Sequence, residues 1–181
     1  VCVLKLGSLR LNFSETKSCQ NFAEDSVSQM AKGSIASVIE LNRGVADVFR
    51  EMQDVQLVSS FLPLLSELKE IEPLKSYEAV LEDRVGPFKL RADLSIEITI
   101  DHDSLKFSVE ARGEDRQVRS AIRISAEMSF ATNSENRTVL TISGTHEISG
   151  KVATLGASVI KGKATKLIHE FENQVRNHFE G

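Results

Sequence analysis

Three polar side chains stand in line with apolar neighbours: Tyr77, Asp83 and His146. By strand alternation Tyr77 shares a side with Ala79 and Leu81, and His146 shares one with Leu140, Ile142 and Ile148. A histidine, a carboxylate and a phenol aimed into an apolar interior have the chemistry for proton transfer. His146 and Asp83 would make an acid–base pair only if they met across that interior. The competing reading is a satisfied core histidine, with Asp83 turned outward by a bulge beside the Gly86-Pro87 turn. No catalytic residue is assigned at this level; His146, Tyr77 and Asp83 stand as candidates. The sequence has no nucleophile elbow, phosphate loop or HExxH spacing. Its four histidines are scattered, and Cys2 and Cys19 form no metal-ligand pair. No metal and no cofactor are expected.

The elements that would position such groups follow from bulk properties and periodicity. A chain of 181 residues, 41% hydrophobic, suffices for one domain with a real core. The 22 basic against 26 acidic residues leave a net charge of −4, which argues against nucleic acid as a partner. No apolar run approaches the roughly 18 residues of a spanning helix, so a soluble protein is expected. Two cysteines give no disulfide framework, and a cytoplasmic location follows as the default.

The first 29 residues show no sustained period, and the first methionine is Met30. Residues 1–32 are expected to be an N-terminal extension, disordered or upstream of the true start, with the folded domain at 33–181. An extra packed strand and a targeting segment are the competing readings.

From Gly33 the pattern is orderly. Ile35, Ile39 and Leu41 share one side of a strand, with Ser37 between them. Val45, Val48, Phe49 and Met52 then recur at helical spacing, with Asn42 as the expected cap. Asp54 can cap a second short helix that stops at Pro63. Strands follow over 64–72 and 75–85. Over 88–101 every even position from Phe88 to Ile100 is apolar and every odd one polar, which only a half-buried strand produces. Further alternating strands include Phe107, then Ile122 and Met128, then Ile142 and His146. The predicted order is strand, helix, helix, six strands, and a last helix that runs from Gly150 almost to the end. Turn-connected strands form an antiparallel meander, and its apolar face needs a cover.

The last helix is that cover. Val152, Leu155, Val159, Ile160, Leu167, Ile168, Phe171 and Val175 form its stripe, with Gly156 and Gly162 inside it. Each interior glycine costs roughly 1 kcal/mol relative to alanine, which suggests close packing or space left for a ligand. Lys151, Lys161, Lys163 and Lys166 are expected on the solvated side, where they offer at most weak, peripheral membrane contact.

Two stretches carry a family likeness: YEAVLEDRVGPFKLRADLSIEI (77–98) and GKVATLGASVIKGKATKLIHEF (150–171). Through them the chain resembles the SRPBCC (START-like) superfamily, and within it the CoxG-like family of carbon monoxide dehydrogenase. The resemblance implies an α+β helix-grip fold. In it a curved antiparallel sheet of about seven strands wraps a long C-terminal helix, with two short helices after the first strand. It further implies an apolar cavity for a hydrophobic small molecule or lipid in a non-catalytic carrier or adaptor. A molybdenum enzyme such as carbon monoxide dehydrogenase is the implied protein partner. The alternative is a cyclase- or hydrolase-type enzyme using polar groups in the same cavity. The residues expected to line the cavity are Leu94, Ile96, Phe107, Ile122, Met128, Ile142 and His146 from the sheet, and Leu155, Gly156, Val159 and Ile160 from the helix.

Overall fold

The computed structural model describes residues 30–181. Of the extension expected over residues 1–32, positions 1–29 lie outside the described residues, and 30–32 belong to the first strand. The chain runs through β1 (Met30–Leu41), α1 (Val45–Glu51), α2 (Val55–Ser60), β2 (Leu65–Glu72), β3 (Ser76–Val85), β4 (Phe88–Asp101), β5 (Lys106–Asp115), β6 (Ser120–Thr132) and β7 (Thr138–Gly150). A 3₁₀ segment (Lys151–Leu155) then leads into α3 (Ala157–Glu180). The strands make one antiparallel, curved, seven-stranded sheet in the order β1-β7-β6-β5-β4-β3-β2.

β4 covers the span its alternation predicts. Leu90, Ala92, Leu94 and Ile96 are buried, whereas Lys89, Arg91, Asp93, Ser95 and Glu97 are exposed. β1 opens at Met30, ahead of the Gly33 start read from the sequence. It pairs with β7 along its whole length, from Met30 opposite Ser149 to Leu41 opposite Thr138. Consecutive strands β1 and β2 therefore lie at opposite edges of the sheet, and α1 and α2 carry the chain between them.

Asp54 caps α2, its carboxylate accepting from the N–H groups of Gln56 (3.0 Å) and Leu57 (3.1 Å). Asn42 does not cap α1. The cap position falls on Gly44 instead, which offers no side-chain acceptor.

The core has two parts. In the first, Phe49 of α1 stacks on Phe107 (centroids 4.8 Å apart), and both meet Phe130 edge-on. Ile39, Leu41, Leu140, Phe171, Val175 and Phe179 complete it. In the second, the inward residues of β3 and β4 pack with Val152 of the 3₁₀ segment. Ile98, Val109, Ile122 and Ile124 line the same face but stay half-buried.

Candidate ligand cleft between the last helix and the sheet

The cover is two pieces, not one helix from Gly150. Gly156 interrupts it with a φ of +88°, a left-handed conformation that an L side chain adopts only with strain. The chain makes a short 3₁₀ turn before this point and begins α3 after it. The break resets the phase of the apolar stripe. From Ile160 the inward positions run through Ala164, Leu167, Phe171, Val175 and Phe179. Val159 lies off that line and is 43% exposed, so the inward place expected for it is not where the fold puts it.

α3 has 24 residues, about 36 Å of helix, and its two halves are seated differently. Towards the C-terminus Phe171, Val175 and Phe179 are buried. Polar ties reinforce them there. Ser37 donates to Glu172 Oε1 (2.5 Å), Arg176 Nη1 to the Glu40 carbonyl (3.0 Å), and the Asn42 N–H to Glu180 Oε1 (3.0 Å). Ser37 is therefore a buried anchor for the helix. In the N-terminal half Ile160 alone is buried, while Ala164 and Leu167 remain half-buried. Here Lys163 Nζ donates to Asp83 Oδ1 of β3 (2.7 Å).

Beside that bond lies a cleft of about 260 Å³. Pro63 and Leu64, between α2 and β2, form one wall, Glu82 and Asp83 of β3 the second, and Lys163, Lys166, Leu167 and Glu170 of α3 the third. The charged groups are paired. Lys163 holds Asp83, Lys166 approaches Glu170 (3.6 Å), and Glu82 bonds Arg91 on the outer side. Leu64 and Leu167 supply the apolar part, and Leu64 continues into the second core cluster.

The three candidate acid–base groups do not meet: two are paired with other side chains, and the third stands apart. Tyr77 is buried, and its hydroxyl accepts from the Leu74 N–H (2.9 Å) and donates to Glu70 Oε2 (3.1 Å). Burial raises its pKa, so it stays a phenol that closes the turn between β2 and β3. Asp83 faces inward, as alternation predicts, and is held by Lys163. His146 is 5% exposed on β7, opposite Gly33 of β1 and Ile124 of β6. Its ring lies against Gly33 so closely that a Cβ there would collide with Cε1 and Nε2. Its Nδ1 is buried without a hydrogen-bond partner, and burial pushes the imidazole pKa below its ordinary value. β6, β5 and β4 separate His146 from the strand that carries Asp83 and Tyr77.

The other residues expected around a cavity do not line this cleft. Leu94, Ile96, Phe107, Ile142 and Ile160 are buried in the packed core. Met128 is half-buried against the aromatic cluster. Ile122 lines a void of about 10 Å³ with Leu90, Ala92 and Ile148, room for a single water. Leu155 packs over Gly86, and Gly156 has open space where its side chain would be. The 260 Å³ cleft is lined instead by inward Asp83 and Leu167 together with residues that alternation and helix phase turn outward, Glu82, Lys163 and Lys166 among them. Lys163 and Lys166 read as solvated lysines. The available signal was Asp83 itself, a lone acid on the inward side of β3 that needs a cation from the cover. Among the described residues no cluster of ligating side chains could hold a metal, and no helix is long and apolar enough to cross a membrane.

A sheet wrapped on a long C-terminal helix defines the helix-grip class, and the comparisons agree. A conserved protein from Geobacillus kaustophilus superposes with a TM-score of 0.67 at 22% identity, covering 83% of this chain and 94% of its own. A START superfamily protein from Mycobacterium smegmatis gives a TM-score of 0.63 at 8% identity, covering 81% and 97%. These likenesses establish the fold. The profile of the carbon monoxide dehydrogenase CoxG family matches residues 38–179, and the chain belongs to that family. No protein of curated function matches it.

Proposed function

We propose that this protein is a non-catalytic carrier or adaptor that binds a hydrophobic small molecule or lipid between α3 and the concave face of the sheet. The observation that carries the reading is the unequal seating of α3. Its C-terminal half is clamped, whereas its N-terminal half borders a 260 Å³ cleft, and Ile98, Val109, Ile122 and Ile124 stay half-buried on the apolar face of the sheet. Apolar side chains that stay accessible inside a fold form a surface suited to an apolar guest. The pairing of Tyr77 with Glu70 and of Asp83 with Lys163, with three strands between them and His146, favours binding over cyclase- or hydrolase-type catalysis.

Membership of the CoxG family supports carbon monoxide dehydrogenase, or a related molybdenum enzyme, as the protein partner served by this carrier, with the cytoplasm as its compartment. Native mass spectrometry of the full chain purified from cells tests the binding. We expect a population carrying an apolar adduct that organic extraction removes, leaving protein that takes up one equivalent of a hydrophobic fluorescent probe. A bare mass together with no probe uptake would overturn the reading.

A further inference from the structure

The cleft holds both signs of charge at the rim and leucine below, and this balance restricts what can pass. Three carboxylates, Glu82, Asp83 and Glu170, and two ammonium groups, Lys163 and Lys166, line it. Each has a partner already. Asp83 and Lys163 are also partly withdrawn from water, at 26% and 39% side-chain exposure. We infer that this cleft is the mouth of the ligand space and that it selects uncharged amphiphiles, because the Asp83–Lys163 pair refuses a head group of either single charge. The inference rests on the carrier reading above and specifies the class of its ligand.

The physical argument is one of like charges. A carboxylate head that shares or takes Lys163 stands as a further anion beside Asp83, with Glu82 and Glu170 also on the rim. A lone ammonium head that shares or takes Asp83 stands as a further cation beside Lys163, with Lys166 also on the rim. In either case a like charge is added beside a partner of the pair, a repulsion that an uncharged head avoids. An uncharged head of hydroxyl or carbonyl character can hydrogen-bond to the rim while both partners stay in place, and its chain can lie on Leu64 and Leu167. The pair also spans from β3 to the loosely seated half of α3.

The test uses three amphiphiles with one chain length and different heads, monopalmitoylglycerol, palmitate and hexadecylamine. Each displaces a hydrophobic fluorescent probe from the full-length protein. Wild type should bind the uncharged compound about threefold to fivefold tighter than either charged one, the scale of an ion-pair interaction at a partly exposed site. Asp83→Asn frees the lysine and should raise the palmitate-to-monopalmitoylglycerol affinity ratio. Lys163→Gln frees the carboxylate and should raise the hexadecylamine ratio instead. A thermal melt confirms that each variant is folded, and the wild-type comparison stands alone if one is not. Equal binding of all three heads by wild type, or folded variants in which the palmitate ratio does not rise for Asp83→Asn and the hexadecylamine ratio does not rise for Lys163→Gln, would overturn the selectivity and leave the carrier reading intact. Binding of none would overturn both.

Discussion

The two halves of α3 lie on one sheet and do different work. From Phe171 onward the helix inserts buried phenylalanine and valine side chains into an aromatic core and is tied to β1 and the residue after it by Glu172, Arg176 and Glu180. From Ala157 to Leu167 it follows the break at Gly156, carries Gly162 on its exposed side, and reaches β3 through Lys163 and Asp83. On the carrier reading, a helix clamped at one end and lightly held at the other serves as a hinged cover. Low local stability belongs where a guest must pass.

The largest effect that could break this comparison is on stability. Phe171→Ala should cost about 3–5 kcal/mol, as expected for an aromatic side chain deleted from a packed core. Leu167→Ala, one turn earlier on the same face, should cost well below that because the space beside it is already open. Urea denaturation of both variants measures the difference. Equal losses would mean that the halves are seated alike.

A smaller effect sharpens it. A side chain at Gly162 would meet nothing within 4 Å, so Gly162→Ala should stabilise the protein by roughly 0.5–1 kcal/mol through helix propensity. The same change should slow probe uptake, because it stiffens the loose half without filling the cleft. A stabilised variant with unchanged uptake would separate cover motion from binding.

The finest handle is pH. The buried, unpartnered His146 favours the neutral ring, so its folded pKa lies below the unfolded value of about 6.5. Above that value both states hold a neutral ring and stability does not depend on it. As pH falls below it the unfolded state takes up the proton first, and stability is lost until pH passes the depressed folded pKa. The urea midpoint should therefore drop on acidification from pH 7, and His146→Phe should flatten that slope. An equally steep slope in the variant would assign the acid sensitivity to other groups.

The strands were legible because side-chain alternation is local. Phe88–Asp101 needs no partner to be recognised, and the Asp54 cap is read from three neighbouring residues. The family was legible from the stretches that make up β3, β4 and the last helix. The break at Gly156 was not. Val152, Leu155 and Val159 continue the helical period straight through it, and periodicity alone does not report a left-handed residue. The cleft was hidden for a different reason. It depends on Lys163 meeting an acid 80 residues away, and its walls come from three separate elements. Alternation placed Asp83 inward, but only the fold shows that its partner is the cover and not His146.

Hydrogen exchange along α3 tests the hinged cover most directly. In the free protein the amides of residues 160–168 should exchange faster than those of 171–180. Saturation with monopalmitoylglycerol should slow the first group and leave the second unchanged. Uniform protection along the helix, with no response to the amphiphile, would contradict the account.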